Sequence, residues 1–166
     1  MKFYLVDRIE LLQPGRKIVT SKALSLAEEY LADHFPAFPV MPGVLMLEAL
    51  TQAAAWLVRL QQDFAKSIVM LKKAQNVRYA YFVTPGNTLR CEVDALSING
   101  ESAKFKGAGY VGDKLAVSAK LELVSFNLAD RPDLNAPSGS DKAIVDEFKS
   151  RFGLLGGPGA LAAQQE

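Results

Sequence analysis

The sequence predicts an α+β fold, a curved antiparallel sheet of about six strands wrapped around one long central helix. Three observations point there. Residues 43–64 form a helix candidate that is apolar nearly all round until Arg59, Gln61, Gln62 and Asp63. A helix of that kind must be buried, so something has to wrap it. Two β-rich runs precede it and four follow, separated by strong turn signals.

The first two runs, residues 3–12 and 17–24, flank Gln13-Pro14-Gly15-Arg16 and read as a hairpin. Residues 25–41 are irregular, because Pro36, Pro39 and Pro42 recur every third position and forbid regular helix. Pro42 then suits a helix start, where its missing N–H has no partner to lose. The later β-like runs are 67–79, 88–98, 102–111 and 114–126. Thr84-Pro85-Gly86-Asn87, Asn99-Gly100 and Gly112-Asp113 supply their turns. In the last run, Leu115, Val117, Ala119, Leu121 and Leu123 alternate with polar residues, the pattern of a half-buried strand.

Two units are expected, 1–128 as the folded domain and 129–166 as an extension. After Asp130 the composition turns to Pro, Gly, Ser and Ala. Ser140 is placed to cap a short amphipathic helix with Ile144, Val145, Phe148 and Phe152 on one side, ending at Gly153. Residues 154–166 read as a flexible tail.

Composition narrows the function. The chain has 166 residues and 49% apolar residues, enough to bury a core without staples. Nineteen basic against eighteen acidic side chains leave a formal charge of +1, with no bulk electrostatic case for nucleic acid or an anionic membrane. The N-terminus has no signal-peptide character. The apolar run Val44–Val58, broken by Glu48, Thr51 and Gln52, reads as too short and too polar to span a bilayer. A soluble, cytoplasmic protein is expected. The one cysteine, Cys91, has no disulfide partner and sits mid-strand, where it is expected to be inert.

Chemistry concentrates between His34 and Gln52. His34 is the sole histidine and so the one side chain that titrates near neutrality unperturbed. Its proline-stiffened loop leads to a helix N-terminus at Gly43, where unpartnered N–H groups carry partial positive charge. Glu48 follows one and a half turns later, inside an apolar run where ionisation is costly. A base, an oxyanion donor and a protonated acid suit removal of a proton next to a carbonyl, with loss of a leaving group at the β carbon. Gln52 lies on the same face as Glu48, to hold the acid or to cap a polar spot in an interface. Taken singly, a lone histidine or glutamate is more often structural or solvated.

His34-Phe35-Pro36, Pro39, Pro42-Gly43-Val44-Leu45, Glu48-Ala49 and Gln52 match, at every fixed position, a pattern H-F-P-x-x-P-x-x-P-G-V-L-x-x-E-A-x-x-Q. In this the chain resembles the β-hydroxyacyl-acyl-carrier-protein dehydratases of fatty acid synthesis. The segments around Tyr4–Ile9, Val77-Arg78-Tyr79 and Val83–Gly86 are also similar, so the resemblance spans residues 4–125. It implies a hotdog fold and a homodimer, often assembled as a trimer of dimers. The active site is shared across the interface, histidine of one subunit facing glutamate of the other. His34 would abstract the α proton of a 3-hydroxyacyl thioester, the Gly43 N–H would bind the thioester oxygen, and Glu48 would serve the departing hydroxyl. Gln52 and Val44 would support them, and Phe38, Met41, Leu45, Tyr81 and Phe82 would line the acyl tunnel. No metal or cofactor is implied. The carrier is acyl carrier protein or coenzyme A.

Some positions depart from the family pattern. Asp33 stands where glycine is common, facing His34 or solvent. Glu48 replaces the aspartate of the related isomerising branch, which favours dehydration alone. Ala80, Tyr81 and Phe82 replace basic residues that attract an acidic carrier, a role left to Lys72, Lys73 and Arg78. Tyr79, Tyr81 and Phe82 read as core aromatics or as a gate, and Met41 and Met46 as core. Arg8 is expected to pair with Asp7. Thioester hydrolysis and non-catalytic binding of acyl chains are the competing functions.

Overall fold

Each of the six β-rich runs becomes a strand, and the apolar run becomes a helix. The computed structural model describes residues 3–163. The elements are β1 (Arg8–Gln13), β2 (Lys17–Ala23), α1 (Gly43–Gln61), β3 (Ile68–Tyr79), β4 (Thr88–Asn99), β5 (Ser102–Val111), β6 (Lys114–Phe126), α2 (Ser140–Leu154) and α3 (Gly157–Ala162). The strands form one sheet in the order β1-β2-β4-β5-β6-β3, with every neighbouring pair antiparallel. Bulges interrupt the register at Ile9/Leu11, Leu71/Lys73, Gln75/Arg78, Ala95/Ser97 and Gly109/Tyr110. An extra residue bends its strand and increases twist, which lets the sheet curl around α1.

The core is the seam between α1 and the sheet. Ala49, Leu50, Ala53, Ala54 and Leu57 of α1 meet Leu12, Ile18, Leu89, Val93, Phe105 and Leu123 of the strands, all fully buried. The small alanines let the strands approach the helix closely. With 19 residues and a mean hydropathy of 1.3, α1 is long and apolar enough to cross a bilayer, contrary to the reading of its interrupted run. Here the sheet takes that role, and most of α1 is buried.

The helix stops three residues before the predicted end. Asp63 and Phe64 adopt left-handed backbone (φ 48° and 57°). The Phe64 amide donates to Arg59 O at 2.8 Å and the Asp63 amide to Leu60 O at 3.2 Å. These two bonds close the last turn as a Schellman motif, here without glycine.

Three other expectations are corrected. The first strand begins at Arg8, not at residue 3, because Gln52 takes the backbone groups a sheet partner would need. Its Oε1 accepts from the Leu5 amide and its Nε2 donates to Phe3 O, both at 2.9 Å. Asp7 pairs with Lys22 at 3.4 Å and accepts the Ala23 amide at 2.9 Å, rather than pairing with Arg8. Consecutive residues of an extended chain point to opposite sides, which separates Asp7 from Arg8. Ser140 is the first residue of α2 and not its cap. The cap is Gly139, and the Ser140 hydroxyl donates to Pro137 O at 2.8 Å.

The described part of the supposed tail is structured. α2 runs one residue past Gly153, and α3 packs on β1 with Leu155 and Ala160 buried. The Ile9 amide donates to Leu155 O at 2.9 Å. Phe148 and Phe152 of α2 face Trp56 of α1 at 5.7 and 5.9 Å between ring centroids. A Cβ on Gly157 would lie 2.1 Å from the Phe152 ring, so only glycine lets α3 start there. The rest of the predicted tail, 164–166, lies outside the described residues.

Asp141 fastens α2 to the sheet. It accepts the Leu128 and Ala129 amides at 2.7 and 3.0 Å and the Ser67 hydroxyl. The Ser67 hydroxyl, with those amides, holds its carboxyl below the usual aspartate range. Its contribution is therefore full above that range and lost as pH falls through the lowered folded value.

Two outcomes follow for hydrogen exchange. Gly157→Val should lift α3 from Phe152 and expose the Ile9 amide, with unchanged exchange contradicting the packing. Asp141→Asn should raise exchange at Leu128 and Ala129 at neutral pH and abolish the acid dependence of that exchange.

Candidate active site

The loop before α1 is tied by its own backbone. After a 3-10 turn at Glu29–Ala32, the His34 amide donates to Tyr30 O at 3.1 Å and the Val40 amide to His34 O at 2.9 Å. Phe35 and Phe38 exchange two amide bonds, and the Met41 amide donates to Val83 O at 2.9 Å. The His34–Phe35 peptide is cis, and the two rings stack at 4.2 Å. His34 Nδ1 lies 2.9 Å from Val40 O. A carbonyl only accepts, so Nδ1 carries the proton and Nε2 keeps its lone pair as the basic atom. Asp33 is exposed and, among the described residues, makes no bond to His34.

His34 opens on a cavity of about 500 Å³ shared with Met41, Gly43, Val44, Tyr81 and Phe82. The Leu45 and Met46 amides both reach Pro42 O, at 2.9 and 3.2 Å. Among the described residues the Gly43 and Val44 amides have no acceptor, leaving two donors at the positive end of α1. A Cβ on Gly43 would sit 3.0 Å from the Tyr79 ring, tighter than ordinary contact, so glycine lets ring and helix tip meet. Met41 and Met46 are buried as expected of core residues, while also lining this cavity. Tyr79, Tyr81 and Phe82 are not core residues in the single chain. They are exposed at the end of the β3 edge, Phe82 by 60%. Phe38 meets Phe82 edge-on at 5.6 Å, and Leu45, half-buried, lines neither this cavity nor the next.

Glu48 belongs to a different cavity, of about 270 Å³. Glu48, Gln52, Ala55 and Arg59 follow at offsets of four, seven and eleven residues, so they share one face of α1, and all four line it. Glu48 is half-buried and accepts a hydrogen bond from Gln52 Nε2 at 2.9 Å. Because Gln52 also grips Phe3 and Leu5, it fixes the carboxylate to the N-terminal segment. α2 adds Phe148 and Arg151 to its lining.

Sequence reasoning missed Arg59 and Arg151. Arg59 was read as the start of the polar face, yet it is 6% exposed, with its Nε unpartnered. It makes no ion pair among the described residues, and burial pushes its guanidinium down to about 10, still protonated at neutral pH. It lies over the Phe148 ring at 3.7 Å and near Trp56 at 5.6 Å. Such ring contacts contribute up to about 2 kcal/mol when desolvated. Stripping water from an ion costs several kcal/mol, so the rings and the negative end of α1 offset only part of the cost. Arg151 is over the Tyr4 ring at 3.2 Å and 3.8 Å from Glu147, and its Nε is also buried without a partner. The offset of eleven from Glu48 was the available signal.

His34 and Glu48 of one chain thus line separate cavities. Other nucleophiles are quiet. Cys91 is 1% exposed, and burial pushes its thiol up to about 12, so no thiolate forms near neutrality. Among the described residues no three His, Cys, Asp or Glu side chains converge as metal ligands.

Comparison with known proteins places these residues in a family. Residues 1–120 match the model of the FabA-like domain. The 3-hydroxyacyl-[acyl-carrier-protein] dehydratase FabZ of Pelotomaculum thermopropionicum is 42% identical over 119 residues, 72% of this chain and 85% of that protein. The FabZ of Clostridium kluyveri is 38% identical over 119 residues, again 72% of this chain and 83% of that protein. Among solved structures, the dehydratase heterocomplex ApeI:P from Xenorhabdus doucetiae superposes with a TM-score of 0.67 at 18% identity, covering 81% of this chain and 91% of that one. At that identity the likeness is one of fold, the hotdog sheet around its helix. α2 and α3 lie beyond the matched domain. The chain belongs to the FabA-like domain family, in the branch of the FabZ-type 3-hydroxyacyl-[acyl-carrier-protein] dehydratases.

Proposed function

We propose that the chain removes water from 3-hydroxyacyl thioesters carried on acyl carrier protein, in a cytoplasmic homodimer whose two active sites each draw on both subunits. The observation that carries this reading is the division of the machinery within one chain. The base and the oxyanion donor line one cavity, and the acid lines another. The surface around the first cavity supports a second copy as its cover. Phe35, Phe38, Val44, Tyr79 and Phe82 are all about half exposed or more, and β3 ends the sheet with a free edge. Monomers rarely leave such a patch or edge open.

The chemistry follows from the donors and acceptors. The thioester oxygen lies against the Gly43 amide, where the positive end of α1 steadies the charge that develops as the α proton leaves. His34 Nε2 takes that proton, with Nδ1 held by Val40 O so that the ring stays aimed. Glu48 of the partner subunit, oriented by its own glutamine, gives a proton to the hydroxyl on C3. The C2–H and C3–O bonds break, the C2=C3 bond forms, and the products are a trans-2-enoyl thioester and water. The proton gained by the imidazole and the one lost by the carboxyl are balanced through solvent before the next turnover. Lys72, Lys73 and Arg78 of the exposed β3 strand offer positive charge to an acidic carrier. In this reading residues 1–128 form the catalytic unit and 129–166 an extension whose helix α2 covers the Glu48 cavity.

His34→Ala and Glu48→Gln should each lower dehydration of a 3-hydroxyacyl carrier thioester by roughly 10²- to 10⁴-fold, followed by enoyl absorbance. Circular dichroism should be unchanged, and full activity in either variant contradicts the assigned roles. Gln52→Ala should lower the rate as well and cost about 1–3 kcal/mol in urea unfolding, because the buried Leu5 amide loses its acceptor.

A further inference from the structure

We propose that the acyl cavity ends in an anion site built on Arg59, with Arg151 as a second cation lining the same cavity, and that the preferred substrates are 3-hydroxyacyl thioesters whose far end carries a carboxylate. This rests on the dehydratase reading above. There the order of reacting atoms fixes the direction of the chain. C1 faces Gly43 and C2 faces His34 of one subunit, while C3 faces Glu48 of the other. Everything beyond C3 therefore enters the cavity that Glu48 lines, and not the His34 cavity of Met41, Tyr81 and Phe82 where the sequence placed the acyl tunnel. The thioester arm leaves on the side of His34.

That cavity runs along one face of α1. Arg59 stands eleven residues beyond Glu48, about three turns or roughly 16 Å along the axis. The wall between them includes Ala55 and Trp56, apolar as an alkyl chain requires. The end is not apolar. Arg59 is 6% exposed, lines the cavity and has no acceptor or carboxylate among the described residues. Arg151 lines the same cavity from α2, its Nε buried and unpartnered and its Nη2 paired with Glu147 at 3.8 Å. The Arg59 guanidinium, with a second cation lining the same alkyl-walled cavity, matches a planar carboxylate through bidentate bonds. A terminal methyl group would leave the buried Arg59 cation unpaired. α2 lies outside the matched domain, so the site is assembled by this chain's extension with its central helix.

The test compares two 3-hydroxyacyl thioesters of equal length, one ending in methyl and one in carboxylate, on the full-length protein and on Arg59→Met. Methionine fills similar space and removes an unpaired buried charge, so this variant should fold. Wild type should favour the carboxylate-ended substrate by roughly tenfold or more in kcat/KM, and Arg59→Met should reverse that order. A free dicarboxylic acid of matching length should raise the melting temperature of wild type and not of the variant. Turnover of both substrates with no carboxylate preference, or a preference that Arg59→Met leaves intact, overturns the anion site while the dehydratase reading stands. Arg59→Met that weakens the dimer without changing the ratio overturns it too, by assigning Arg59 to the subunit interface. Failure of wild type to dehydrate either thioester overturns both.

Discussion

One helix has to be buried by a sheet and still remain chemically open, and the rest of the molecule follows from meeting both demands. The alanine and leucine side of α1, with Leu50 and Leu57 fully buried, is held by β2, β4, β5 and β6. Two parts escape that burial. The N-terminal tip keeps the amides of Gly43 and Val44 free, and the face through Glu48, Gln52 and Arg59 looks into a cavity rather than onto a strand. The hydrophobic seam fixes where both parts sit. The Gly43 amide and the Glu48 carboxyl are thus placed to the accuracy of a packed core, not of a loop.

The extension changes what that open face can do. In the matched domain alone, the cavity beyond Glu48 would lack Phe148, Arg151 and Leu155. With α2 docked through Phe148, Phe152 and Asp141, the cavity gains a further wall and a second cation, Arg151, beside Arg59. The same docking places the Phe148 ring against the Arg59 guanidinium, which keeps a long charged side chain in one position. Specificity and packing therefore share residues here, and a change in α2 is expected to alter the substrate range before it alters the chemistry.

Much of the fold was legible because it is written in period and punctuation. Pro14-Gly15 and Gly112-Asp113 marked turns, the alternation in β6 marked a half-buried strand, and a helix apolar nearly all round required a wrapping sheet. The misreadings have local causes. Gln52 displaced the sheet at residues 3–6, a long-range bond between side chain and backbone that no pattern near the N-terminus announces. Gly156 and Gly157 looked like tail composition, yet Gly156 turns the chain at φ 76° and Gly157 permits the close approach of α3 to Phe152. His34, Gly43 and Glu48 were legible as a motif, but their division between two cavities was not, since it depends on which side of the loop each side chain faces. Arg59 was missed because a cation at the end of an apolar helix usually marks solvent, and here a later segment covers it.

The central claim is that one complete site needs two chains. Coexpression of His34→Ala and Glu48→Gln chains tests it most directly. If the site is shared, half of the randomly paired dimers contain one intact histidine–glutamate pair, and the mixture should recover about a quarter of the wild-type rate. A mixture that stays as inactive as either variant alone would contradict the account, by placing both residues of each working site in the same chain.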